Sequence, residues 1–138
     1  MAVKFEDYSV QVENAMMQAI TAFLEEASGE VLTGTARNYD SAGRVKTGQT
    51  KGSFDKKVVE QTAYMGSNYE NAVWEEFGTG EYAEMGNGRK SAWKYKDDEG
   101  NWHTTHGKRG HRPFRNAYES KKKVIIQRAE EVLKSILG

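Results

Sequence analysis

The 138-residue chain contains no cysteine. That excludes disulfides, thiolate catalysis and cysteine-based zinc sites. No stretch approaches the roughly 20 apolar residues needed to cross a bilayer. The first ten residues, MAVKFEDYSV, lack both an apolar run and the shape of a signal peptide. The expectation is a soluble chain made and kept in a cytoplasm, with no membrane partner. Net charge is zero, with 20 basic and 20 acidic side chains. That balance argues against a general nucleic-acid coat protein.

The charge is unevenly spread. Residues 1–84 carry seven basic and fourteen acidic side chains, and residues 85–138 carry thirteen and six. Such a dipolar chain suits head-to-tail self-association or docking between partners of unlike charge. The length fits one domain, 1–138, with a modest core.

The stretch AYMGSNYENAVWEEFGTG, residues 63–80, organises the reading. It starts as a strand, turns at Gly66-Ser67-Asn68, and continues as a short helix capped by Asn68. Tyr69, Ala72, Val73 and Phe77 fall on one face, with Trp74 as a further apolar position. Glu70, Glu75 and Glu76 are expected on the other. Gly78 ends the helix because it takes positive φ without a Cβ penalty.

Upstream, residues 1–8 read as a loosely ordered lead-in. A long helix capped by Ser9 carries Met16, Ile20, Phe23, Leu24, Ala27 and Val31 as its apolar stripe, with Gly29 a point of weakness, and is expected to stop near Ala36. Residues 38–52 are a polar loop holding Arg44, Lys46 and Lys51. Residues 53–62 read as a strand with Phe54, Val58 and Val59.

Downstream, residues 81–90 form a second glycine-containing loop. A hairpin follows, with Trp93, Tyr95 and Trp102 expected on one face and a turn at residues 97–100. HGKRGHR, residues 106–112, is a basic turn. Pro113 suits the first position of a final helix. Phe114, Tyr118, Ile125, Ala129, Val132, Leu133 and Ile136 form that helix's stripe, bordered by Ala117, Val124 and Ile126. The fold class that follows is α+β. About four antiparallel strands would form one sheet, the two long terminal helices would pack on one of its faces, and a short helix would lie between strands.

Three of these stretches resemble a known family. Val45-Lys46-Thr47-Gly48-Gln49-Thr50 with Ser53-Phe54 is similar to its "TG, leucine, serine" approach to the first strand, with Thr50 where leucine is usual. Gly66-Ser67-Asn68, Tyr69, Ala72 and Glu76-Phe77-Gly78-Thr79-Gly80 are similar to its "GSN, YA, EFGTG" core. Arg112-Pro113-Phe114 with Ala117 resembles its "RPFLRPA" start of the C-terminal helix, with Arg115-Asn116 departing from it. The family is the minor tail component, or tail-completion and head–tail joining protein, of long-tailed bacteriophages and prophages.

The resemblance implies a structural virion protein that is not an enzyme and holds no cofactor. It would sit at the head-proximal end of the tail, and in the host cytoplasm during assembly. The implied partners are further copies of itself in a ring around the DNA channel and the tail terminator, tail tube or head connector, with non-specific contact to packaged DNA also allowed. The candidate contact residues are Arg44, Lys46, Thr47, Gly48, Glu75, Glu76, Gly78, Thr79, Gly80, Lys108, Arg109 and Arg112. Gly66, Tyr69, Ala72, Phe77, Pro113, Phe114 and Ala117 are the structural positions.

His103, His106 and His111 lie close in sequence, but with no cysteine beside them they read as solvated hairpin and loop residues rather than metal ligands. Glu75 and Glu76 are adjacent on a helix and diverge, unlike a hydrolytic pair. Gly78-Thr79-Gly80 lacks the Lys-Ser/Thr of a phosphate loop. The alternative function is a small RNA- or DNA-binding domain using Trp93, Tyr95 and Trp102 with the basic residues Lys108, Arg109, Arg112, Arg115 and 121–123. A hydrolase or nuclease using His103 or His106 is a third reading.

Overall fold

A computed structural model describes Asp7 and residues 9–43 and 48–138. Helix α1 is Ser9–Ser41 and helix α3 is Pro113–Leu137, with the short helix α2, Glu70–Phe77, between them. Strands β1, Asp55–Val59, and β2, Thr62–Gly66, pair antiparallel, as do β3, Trp93–Lys96, and β4, Trp102–Thr105. The α+β class and both long helices are as expected. The single sheet is not: the four strands form two separate two-stranded sheets. Only β1–β2 packs on α1. A two-stranded ribbon has no neighbouring strand to widen it, so each ribbon depends on what covers one face.

α1 and α3 run antiparallel and form the main packing layer. Gly34 lets them approach: a Cβ there would lie 3.2 Å from the Ala117 Cβ. At the same end, Asn38 Nδ2 donates to the Pro113 carbonyl at 2.9 Å. Further along the pair, Arg128 bridges Glu26 at 2.8 Å and Glu30.

α1 passes through Gly29 and runs beyond Ala36 to Ser41. The reason is its buried face: Ala27, Ser28, Val31, Thr35 and Tyr39 repeat at intervals of three and four, so burying Tyr39 requires another turn of helix. Ser28 and Thr35 satisfy their hydroxyls on the Leu24 and Val31 carbonyls at 2.6 and 2.8 Å, so both behave as core residues. The helix start also differs. The Asp7 carboxylate accepts the Ser9 N–H at 2.9 Å, where Ser9 itself was expected to cap.

The aromatic centre forms where helix, strand and final helix meet. Tyr39 meets Phe54 with ring centroids 5.9 Å apart, and Phe54 stacks on Phe114 at 5.8 Å. β1 is anchored from its side by Lys56, whose Nζ reaches the Glu25 carboxylate at 2.6 Å.

The β3–β4 register corrects the hairpin reading. Trp93 lies opposite Thr105, Tyr95 opposite His103, and Lys96 opposite Trp102. Opposed residues share a face, so Trp93 and Tyr95 lie on one side and Trp102 lies with Lys94 and Lys96 on the other. The turn sets this register. The Asp97 carboxylate accepts the Glu99 and Asn101 N–H groups at 3.0 and 2.8 Å, and Gly100 supplies the left-handed residue.

The β1–β2 turn is built from less suitable residues. Glu60 and Gln61 both hold positive φ, 49° and 58°. Two successive left-handed residues favour Asn-Gly, since a Cβ is strained there. The replacement Glu60→Asn with Gln61→Gly is expected to raise stability by about 1 kcal/mol. A urea-unfolding midpoint that moves upward at constant slope checks it.

Candidate functional site

α2 turns its glutamates inward. Ala72, Glu75 and Glu76 are its buried residues, with Glu75 5% and Glu76 9% exposed. Val73, Trp74 and Phe77 are exposed instead. The expected faces of α2 are therefore exchanged at Val73, Phe77, Glu75 and Glu76, while Ala72 is buried, Tyr69 half-buried and Glu70 exposed as expected. Periodicity alone favoured the apolar face, but the surface facing α2 is the basic loop and the start of α3, which demand carboxylates. Buried carboxylates persist only when paired and hydrogen-bonded.

Glu76 serves the start of α3. Its Oε1 accepts the Phe114 N–H at 2.9 Å and its Oε2 accepts the Arg115 N–H at 3.1 Å. These are two of the donors that a helix N-terminus leaves without an intrahelical partner. Arg112, the residue at the cap position, is left-handed and offers no side-chain acceptor. A carboxylate 38 residues upstream in sequence therefore does the capping, and its charge also complements the helix dipole.

Glu75 serves the basic loop. Its carboxylate pairs with Lys108 Nζ and with His111 Nε2, the latter at 2.7 Å. Its carbonyl accepts the His111 N–H at 2.9 Å. His111 also meets the Tyr39 ring edge-on at 5.3 Å. His111 is thus a half-buried packing residue, not the solvated loop residue expected. Burial raises the Tyr39 phenol above its ordinary pKa, and the nearby Glu75 and Glu76 charges raise it further.

Residues 77–84 and 106–110 are zipped together along their backbones. Thr79 N–H donates to the Lys108 carbonyl at 2.9 Å, and Glu81 N–H to the His106 carbonyl at 3.0 Å. The Thr79 hydroxyl accepts the Lys108 N–H at 3.0 Å. Glycine makes the contact possible. A Cβ on Gly80 would lie 2.1 Å from the His106 carbonyl oxygen, and one on Gly107 would lie 2.1 Å from the Thr79 oxygen. Both glycines also hold positive φ. Gly78 ends α2 as expected, with φ 81° and its N–H on the Trp74 carbonyl at 2.8 Å.

Outside the zip lies a charged layer. Glu84 takes a two-pronged contact from Arg115 at 2.8 Å and a contact from Arg112 at 2.9 Å. Arg109 lies over the Tyr82 ring at 4.7 Å, and Arg115 lies over the Phe77 ring at 5.3 Å. The hydrogen bond from Arg115, and then the charges of Arg112 and Arg115, hold the Glu84 carboxyl below the usual carboxylate range. Arg115 stands in the basic cluster that the sequence shows, but its pairing with Glu84 needs two loops brought together.

The remaining candidates divide. Arg44, Lys46 and Thr47 lie outside the described residues. Gly48 is left-handed just before the short turn at Lys51–Ser53. That turn is tied to the start of α2: Asn71 Nδ2 donates to the Thr50 hydroxyl at 2.7 Å, and the Ser53 and Ser67 hydroxyls meet at 2.6 Å. Asn68, expected as the α2 cap, does not cap; the helix has no side-chain cap, and the Ser67 hydroxyl accepts the Tyr69 N–H at 3.0 Å. Pro113 and Ala117 are buried, Tyr69 and Phe114 half-buried. An open apolar groove of about 340 Å³ runs between Phe54, Gly66, Val73, Phe77 and Tyr118. No cluster of three or more metal-ligating His, Asp or Glu side chains occurs among the described residues.

Glu76→Ala is expected to cost about 2–4 kcal/mol, because it leaves two helix-start donors and a buried site without an acceptor. Glu76→Gln, which keeps one oxygen, should cost clearly less. Urea midpoints of both variants test this. A pH scan tests Glu84. Its folded pKa lies below the unfolded one, so its contribution is complete above the ordinary carboxylate range and is lost as pH falls through the folded value. Between about pH 6 and pH 3, the melting temperature of the wild type should therefore fall more steeply than that of Glu84→Gln.

Compared with family models, with curated proteins and with solved structures, the chain finds no match in any of the three.

Proposed function

We propose that this chain is a structural protein of a tailed bacteriophage or prophage. In this reading it is a tail-completion or head–tail connector component at the head-proximal end of the tail. It works by protein–protein contact, as a ring of copies around the DNA channel, with no cofactor and no catalytic step. One observation carries the reading. The three stretches that resemble the phage family are distant in sequence, and they converge on one frame. Thr50 and Ser53 bond Asn71 and Ser67, and the Glu75–Gly80 segment grips residues 106–115.

The chemistry of that frame supports a holding role. The buried carboxylates are occupied in capping α3 and in pairing with Lys108 and His111. Around the frame, Arg109, Arg112, Thr79 and Glu84 present a polar, charged rim, while the apolar groove opens beside it. Such a pattern suits contact with neighbouring tail terminator, tail tube or connector subunits.

A second reading, binding of DNA or RNA, is favoured by one feature of the hairpin. Trp102 is exposed and shares its face with Lys94 and Lys96, so a stacking surface lies beside two phosphate-seeking cations. A salt-sensitive shift of a labelled oligonucleotide, lost in Trp102→Ala, would favour it over the first.

Deleting the gene from its phage is expected to give heads and tails that fail to join, or unstable particles, visible by electron microscopy. Normal, infectious virions from the deletion would refute the virion reading.

A further inference from the structure

α1 carries a stripe at strict seven-residue spacing: Val10, Met17, Leu24 and Val31. At its inner end, under β1–β2, Val31 is 1% exposed; at its outer end, Met17 is 43% and Val10 64% exposed. Among the described residues, the same stripe that builds the core therefore continues outward uncovered. α3 repeats the pattern. Ile126 and Leu133, seven apart, are 50% and 41% exposed, and Leu137 continues the row.

The two rows lie on one side of the helix pair. α1 meets α3 through Phe23, Glu26, Glu30 and Gly34, and α3 answers with Ala117, Arg128 and Val132. At about 100° per residue, the exposed row lies roughly 125° from the contact line on α1 and roughly 150° on α3, turned in the same sense. The helices are antiparallel, so turns in one sense bring both rows toward the same face. It is the face on which Val31, Tyr39, Phe54 and Phe114 form the core further along.

We propose that the free chain is a two-fold dimer in which this outer two-helix face is covered by a second copy, α1 of one copy lying over α3 of the other. Three observations favour a second copy as the occupant. The first is charge. Of the four acidic side chains of α1 before Arg37, Glu25, Glu26 and Glu30 are paired with Lys56 and Arg128, which leaves Glu13 beside the row, while α3 adds Lys122 and Lys134 near its own row. A two-fold axis that lays α1 of one copy over α3 of the other sets Glu13 against lysines of the second copy, so the rim is complementary to itself. The second is polarity: the row is lined by aliphatic residues flanked by Glu13 and Lys122, the anatomy of an apolar centre with a charged rim. The third is size. About 17 residues of two adjacent helices present on the order of 500 Å² per copy. The pair thus buries about 1,000 Å² in total, the lower end of what a specific dimer needs. The inference concerns the isolated chain and does not rest on the virion reading.

The test is sedimentation equilibrium of the full chain at concentrations up to about 100 μM, where a weak dimer of this area is populated. The wild type is expected at twice the monomer mass. Met17→Glu and Leu133→Lys, both at exposed positions, should each weaken the dimer at least about tenfold. Circular dichroism should show unchanged helix content. Mixing the two variants should restore a dimer, because a glutamate on one α1 then faces a lysine on the other copy's α3 while the second half of the interface stays native. Trp74→Glu, on the exposed side of α2, should leave the mass unchanged. A wild type that stays monomeric, or that forms only particles larger than a dimer, would overturn the proposal. So would a mixture of the two variants that stays monomeric.

Discussion

Two adjacent carboxylates, sent into the interior from one short helix, decide how the C-terminal half of this protein is arranged. Glu75 holds Lys108 and His111, and Glu76 holds the first free N–H groups of α3. Neither contact is optional. A buried carboxylate without partners is costly, and so is a helix start without acceptors. Each need answers the other, so α2, the basic loop and α3 have few ways to be placed except together.

Glycines make that arrangement sterically possible. Gly78, Gly80, Gly107 and Gly110 let two loops approach at backbone contact, where any side chain would collide with a carbonyl or an amide nitrogen. The loops consequently exchange backbone hydrogen bonds much as strands do, without belonging to either sheet. The aromatic group Tyr39, Phe54, His111 and Phe114 then fills the space beneath. Ion pair, glycine contact and aromatic packing converge on one corner of the molecule. The opposite end, the outer part of the helix pair, is left with apolar rows that are exposed among the described residues.

The combination bears on function through what it leaves outside. Groups that would serve acid–base chemistry elsewhere are spent on holding loops. The surfaces that remain available are an apolar groove, a lysine and tryptophan face, a charged rim and an outer helical face. In the proposed reading, these are the surfaces that neighbours would meet.

Local patterns in the sequence determined the two long helices, the β3–β4 hairpin, the helix stop at Gly78 and Pro113 as the first residue of α3, because these depend on spacing and on residues within a few positions; the β1–β2 turn at Glu60-Gln61, inside a stretch expected as one strand, has no such local signal. Tertiary contact alone decided that α1 runs on to Ser41, since only the ring of Phe54 and the side chain of His111 give Tyr39 a reason to stay helical. It decided that Glu75 and Glu76 face inward, because the charges that welcome them lie more than thirty residues away. It also decided that four strands make two ribbons: strand propensity says which segments extend, but the space between packed helices and loops says which of them can meet.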